Sequence, residues 1–218
     1  MIMLSFNLEE FLLVLESYNL AIWPLQIVAY IFGITTLVFS FKPTKHSPKI
    51  VLAILSILWL FIGIVFCFFY WAPSKFAYIF GILCILQGLL FLYCIKKSDI
   101  EIDYRTNTYT LVGILFVIYA IIGYQIFGYY LGHIYPKFFA FGLVPCPTTI
   151  FTFGLFLVIN KKVPIKYLVI PLIISLGGFL AAYHGIFEDI GLVIVGILGT
   201  VLIILRDRKV ETKERTTT

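Results

Sequence analysis

The densest group of chemically equipped side chains in this sequence is the run Pro145-Cys146-Pro147-Thr148-Thr149. Proline suits the first turn of a helix and is costly in its interior, so the run marks a helix start or a kink. A helix starting there inside an apolar stretch would turn free N–H groups towards an anion or a polar ligand. The plainer alternative is a kinked helix whose threonine hydroxyls bond the freed carbonyls. A soft metal held by Cys146 and a histidine is chemically open, but the spacing of Cys67, Cys84, Cys94 and Cys146 forms no zinc or disulfide pattern.

Other polar residues fall at similar depth. Gln26 lies early in one apolar stretch and Gln125 late in another, while Gln87 is central in a third. His133 and Tyr135 precede the proline run, and His184, Glu188 and Asp189 lie between the last two apolar stretches. Brought together, Gln26, Gln87, Gln125, His133, Tyr135, His184, Glu188 and Asp189 would line an outward vestibule with Cys146, Thr148 and Thr149 at its floor. A histidine there could bind a ligand or carry a proton; a solvated histidine in a loop is the commoner case. No catalytic residue, metal set or cofactor is assigned. The last apolar stretch has no lysine for a retinal Schiff base. No GxSxG, HExxH or phosphate-binding loop occurs.

These residues must be positioned in lipid. Hydrophobic residues make up 61% and charged residues 12% of the 218, with mean hydropathy +1.06, too few polar groups to cover a soluble core. That excludes a soluble enzyme, a nucleic-acid reader and a disordered regulator. A bilayer core about 30 Å thick needs about 20 helical residues. Seven stretches are marked as spans: 21–41, 50–71, 76–95, 110–131, 138–160, 163–182 and 189–205. The fifth is interrupted by its prolines. A helix from Pro147 to Asn160 would be only about 21 Å long at ~1.5 Å per residue. The rest of that span is then either a kinked extension or non-helical backbone, which needs protein or a water-filled cavity around it.

With the N-terminus outside, every basic residue except Lys75 and Lys137, among the 16 present, lies on the inner side. The inner acids are Asp99, Glu101, Asp103, Asp207, Glu211 and Glu214; the outer ones are Glu9, Glu10, Glu16, Glu188 and Asp189. This charge division reads as topology plus attraction to anionic inner-leaflet headgroups, or more sharply as an outer mouth attractive to cations. Leu8, Phe11, Leu12 and Leu15 recur at helical spacing with Glu9 and Glu16 opposite, and Asn7 with Glu10 fits a capping box. Residues 7–18 therefore predict an amphipathic helix on the membrane surface or over the bundle. Residues 1–20 hold three glutamates and no lysine or arginine, unlike a signal peptide. The division is 1–20 interfacial, 21–205 transmembrane and 206–218 a basic cytoplasmic tail. The fold class is an all-α polytopic transmembrane bundle, multi-pass in the inner or plasma membrane, N-terminus out and C-terminus in. The expected partners are the bilayer and a small molecule or ion, not nucleic acid; oligomeric state is left open.

Several pieces carry a family likeness: Tyr18-Asn19 and Trp23-Pro24 ahead of Gln26, Leu86-Gln87-Gly88-Leu89-Leu90-Phe91, and Leu131-Gly132-His133-Ile134-Tyr135-Pro136. The most specific is Phe141-Gly142 followed by Pro145-Cys146-Pro147-Thr148-Thr149-Ile150-Phe151-Thr152-Phe153-Gly154. Through them the chain resembles a family of prokaryotic multi-spanning integral membrane proteins of unknown function. The resemblance implies a bacterial-type membrane protein and carries over no activity or catalytic residue. Three readings stay open. A permease for a small solute or ion predicts a wet cavity lined by Gln26, Gln87, Gln125, Cys146 and Thr149. A sensor or accessory subunit predicts a dry bundle with Thr148 and Thr149 bonded to carbonyls. A membrane enzyme needs His133, His184 and Glu188 in one shell.

Overall fold

The computed structural model describes residues 7–71, 75–97, 100–159 and 161–217, with Lys75 and residues 210–217 as backbone. Parts of the expected connections at 72–75 and 96–109, with Asp99 and Asn160, lie outside the described residues. Every regular element described is helical.

Asn7 starts α1 (Leu8–Ala21). Its side-chain oxygen accepts the Glu9 N–H at 3.0 Å, and its amide donates to Glu10 Oε1 at 3.3 Å, so one of the orphan donors of the first turn is satisfied. The apolar stripe faces protein: Phe11, Leu15, Tyr18 and Asn19 are buried. Pro24 brings no N–H to continue the ladder, and the chain turns by 85° into α2 (Leu25–Phe41). α1 thus lies across one end of the bundle, with the Phe11 ring against Phe66, Trp71 and Phe139.

α3 (Ser47–Phe61) continues as a wider π-turn stretch to Tyr70, and α4 runs Lys75–Lys97. α5 (Thr108–Ile118) passes through another π stretch into α6 (Tyr124–Tyr130). α7 is Pro145–Val158, α8 is Val169–Tyr183 and α9 is Asp189–Thr217. Among the described residues, five helical stretches are long and apolar enough to cross a membrane: Ser47–Tyr70, Phe76–Lys97, Thr108–Tyr130, Ile165–Tyr183 and Asp189–Lys209. The bent α1–α2 pair makes six if counted as one span.

The expected seven differ from this at two places, and proline is the reason at both. The stretch 21–41 yields a 17-residue helix after the break at Pro24. The stretch 138–160 yields a 14-residue helix that begins at Pro145, with non-helical backbone before it. The division placed at Arg206 is crossed by one continuous helix, α9.

Contacts between connections define two ends. At one, Lys161 pairs with Glu101 at 3.3 Å, Phe41 packs on Tyr104, and Lys209 lies over Tyr109. At the other, α1 meets Trp71 and Phe139, and Lys137 approaches Glu16 at 3.5 Å. Between them the outward faces are apolar at helical spacing, as with Ile79, Ile82, Leu86 and Leu89 on α4 or Leu111, Leu115, Ile118 and Ile122 on α5 and its continuation. Such belts are costly in water and at ease in lipid. α7 is the opposite: every residue from Pro147 to Val158 is buried. It reaches α5 backbone to backbone at Gly154, where a Cβ would lie 2.9 Å from Gly113 O.

Candidate functional site

The segment before α7 is buried without being helical. Phe139, Ala140, Phe141, Leu143 and Val144 are at most 4% exposed, so their backbone polar groups need partners from protein. They have them. Asn19 Nδ2 donates to Pro136 O at 2.7 Å and Phe138 O at 2.8 Å. Gln125 Nε2 donates to Phe139 O at 2.5 Å, the Tyr18 hydroxyl to Leu143 O at 2.7 Å, and Thr148 Oγ1 to Val144 O at 2.8 Å. Gly142 adopts φ +76° in the turn, a conformation open to glycine at little cost. Asn19→Ala is expected to destabilise the protein by roughly 1–3 kcal/mol for each carbonyl it strands. An unchanged unfolding midpoint in detergent would refute this role.

The segment delivers α7 with Pro145 and Pro147 in its first turn, so Cys146 is the remaining main-chain donor of its first three positions. Cys146 Sγ donates to Asp189 Oδ2 at 3.3 Å. The Tyr124 hydroxyl donates to Asp189 Oδ1 at 2.5 Å. The preceding residue, Glu188, places Oε1 2.5 Å from His133 Nδ1, and its carbonyl accepts from the Tyr119 hydroxyl at 3.0 Å. Gly128 allows this approach, since a Cβ there would sit 2.8 Å from Glu188 Oε1. Glu188 Oε2 and Thr149 Oγ1 are buried with no hydrogen-bond partner.

Glu188 and Asp189, read from the sequence as outer acids between the last two apolar stretches, are interior groups. They are 0% and 1% exposed. The turn after α8 folds inward on buried Ile186, and Asp189 becomes the first residue of α9, where the helix dipole favours a carboxylate. Chemically, the cluster can hold a proton or a positive charge between two carboxylates, an imidazole, a phenol and a thiol. It lacks the geometry for thiol catalysis, because the acceptor beside Sγ is itself an acid rather than a cation that would favour a thiolate. Among the described residues no three histidine, cysteine or acidic side chains converge as a metal-ligand set.

Beside the cluster lies a cavity of about 60 Å³. Phe11, Phe66, Trp71, Phe80 and Phe139 contribute its aromatic wall, and Cys146 and Asp189 its polar end. A second hollow of about 50 Å³ shares Trp71, Phe80, Gly177 and Ala181 with the first and reaches His184. The two hollows lie side by side between His184 and the start of α7.

Of the nine nominated residues, the structure brings His133 and Cys146 to this cluster through Glu188 and Asp189. Gln125 and Thr148 stand beside it as backbone partners. Gln26 instead donates to Asn19 O at 2.8 Å and Gln87 to Tyr167 O at 3.3 Å. Tyr135 is exposed against Phe138. His184 ends α8 with Nδ1 2.8 Å from Leu180 O. Sequence reasoning missed Tyr124, and it named Asp189 without pairing it with Cys146. The available signals were an acid directly before a long apolar run and a tyrosine beside Gln125 on one helix. Tyr167, whose carbonyl takes the Gln87 amide, is buried.

At the other end of α7, Arg206 closes the helix. Its guanidinium donates to Phe156 O and Ile159 O, to Lys161 O at 3.1 Å, and to Asp207 Oδ1 at 2.7 and 2.9 Å. Asp207 Oδ2 in turn accepts the Val163 N–H at 2.9 Å. The two charges assigned to a solvated tail are therefore 3% and 8% exposed, because the carbonyls left open at the end of α7 need donors.

The sequence model of one protein family matches residues 8–214. The chain belongs to the DUF6064 family. That family is described as one of unknown function. No curated protein and no solved structure matches the chain significantly. The DUF6064 match takes in α1, the buried segment, the His133–Glu188 and Asp189 cluster, and the Arg206 lock.

Proposed function

We propose that this DUF6064 protein is a multi-pass cell-membrane protein that binds a small solute in the crevice beside α7. Seven segments cross, with the cavity end outside and the basic end inside facing anionic headgroups. Three features support that count. α2 runs from the turn after α1 to Phe41, which packs on Tyr104 at the basic end. The buried 138–144 segment completes the path that α7 is too short to make alone. Lys42, Lys45, Lys49, Lys96 and Lys97 are all exposed at the basic end, as the positive-inside rule requires.

The observation that carries the binding reading is the aromatic cavity ending on Cys146 and Asp189. Concave, mostly apolar sites with few converging polar groups are where small ligands bind. Beyond Cys146, α7 is buried from Pro147 to Val158 and its end is capped by Arg206. A blind crevice favours a receptor-like or accessory role over an open pore.

Thiol labelling tests it. With Cys67, Cys84 and Cys94 replaced, Cys146 is expected to react in intact cells with a small polar thiosulfonate, and prior treatment with an impermeant reagent should reduce that labelling. Complete protection from every water-soluble reagent would overturn the outward crevice.

A further inference from the structure

We infer that the crevice takes a small alkylammonium ion, with the aromatic wall around its methyl groups and Asp189 as its counter-charge. This rests on the cavity reading above and adds the ligand's chemistry.

The argument begins with charge. Glu188 and Asp189 bring two carboxylates to a site that is at most 1% exposed. His133 can offset one of them, 2.5 Å from Glu188. The partners of Asp189 are a phenol and a thiol, which donate hydrogen bonds but carry no positive charge. Among the described residues no lysine or arginine lines the cavity. A buried carboxylate without a cation is costly unless it takes a proton or a positively charged partner.

The wall then selects the kind of cation. Hydrated metal ions want several oxygen ligands, and the lining offers one carboxylate amid five aromatic rings and aliphatic side chains. Ring faces carry negative quadrupole density and attract an organic cation, most strongly when water is excluded. The cavity's size limits the ligand. Its volume of about 60 Å³ leaves room for a few water-sized groups, one needing at least about 10–15 Å³, hence a small ammonium of a few non-hydrogen atoms. The acidic residues Glu9 and Glu10 of α1 lie at the same end and add a field that draws cations in.

The experiment compares tert-butylammonium with tert-butanol, which has the same shape without the charge, by calorimetry on the full chain in nanodiscs. The cation is expected to bind at least tenfold more tightly. Asp189→Asn should abolish that advantage, and Phe80→Leu, which keeps the apolar lining but removes a ring, should narrow it while tert-butanol binding persists. Equal binding of both compounds, or an advantage that survives Asp189→Asn or is untouched by Phe80→Leu, overturns the inference and leaves the cavity reading standing. Binding of neither compound also overturns it; Cys146 labelling then decides whether the crevice itself is open.

Discussion

Replacing Arg206 with methionine is expected to cost about 3–5 kcal/mol of stability, the range found when one member of a buried ion pair is removed. Methionine keeps much of the volume but leaves Asp207 as an uncompensated charge at 8% exposure. It also strands Phe156 O, Ile159 O and Lys161 O, all of which the guanidinium serves. Arg206→Lys should recover only part of the loss, since an ammonium cannot reproduce the planar fork. Adding Asp207→Asn to Arg206→Met should be less damaging than the two single effects summed, because the stranded charge is gone. The check is the thermal unfolding midpoint in detergent. A midpoint within a degree of the parent protein would contradict the lock and return Arg206 to the solvated tail.

His133→Ala should be comparably severe, at about 3–5 kcal/mol. Glu188 Oε2 already lacks a partner, so the substitution leaves the buried carboxylate with neither oxygen paired. The diagnostic comparison is the double variant His133→Ala with Glu188→Gln. If the penalty comes from an unpaired charge, the amide removes it and the double variant melts above His133→Ala alone. If the ring matters only for packing against Phe139, at 5.7 Å between centroids, the second substitution brings no recovery. Melting of the four proteins by near-ultraviolet circular dichroism separates these outcomes.

Much of the helical architecture was legible in composition and proline positions. Five of the expected stretches coincide with helices able to cross a membrane, because each holds enough apolar residues in an unbroken run. The start of α1 was legible as well, since Asn7 and Glu10 act through neighbours within one turn. The prolines at 145 and 147 marked a helix beginning inside an apolar stretch, though not which of two backbone paths leads to it. Of the site, Cys146 and His133 could be nominated from residue type and depth. Their partners could not. His133 meets Glu188 55 residues away, Cys146 meets Asp189 43 away, and Tyr124 meets Asp189 65 away. No local pattern encodes such distances.

The glutamines show the same limit from the other side. Gln26, Gln87 and Gln125 each look like ligand-binding groups when seen in an apolar run, yet each donates to a backbone carbonyl. A polar side chain in lipid signals that something must be satisfied, and the sequence does not say whether that is a ligand or the chain itself.

The amino-acid sequence alone thus determined that this chain belongs among apolar helical proteins, where its helices break, and which end of the bundle is basic. These follow from hydropathy, proline geometry and charge, which act over a few residues or over whole loops. Only the tertiary structure decided that Glu188, Asp189, Arg206 and Asp207 are interior groups. Burial is a property of what packs around a residue: the turn after α8 brings the first pair against His133, Tyr124 and Cys146, and the open carbonyls at the end of α7 draw in the second.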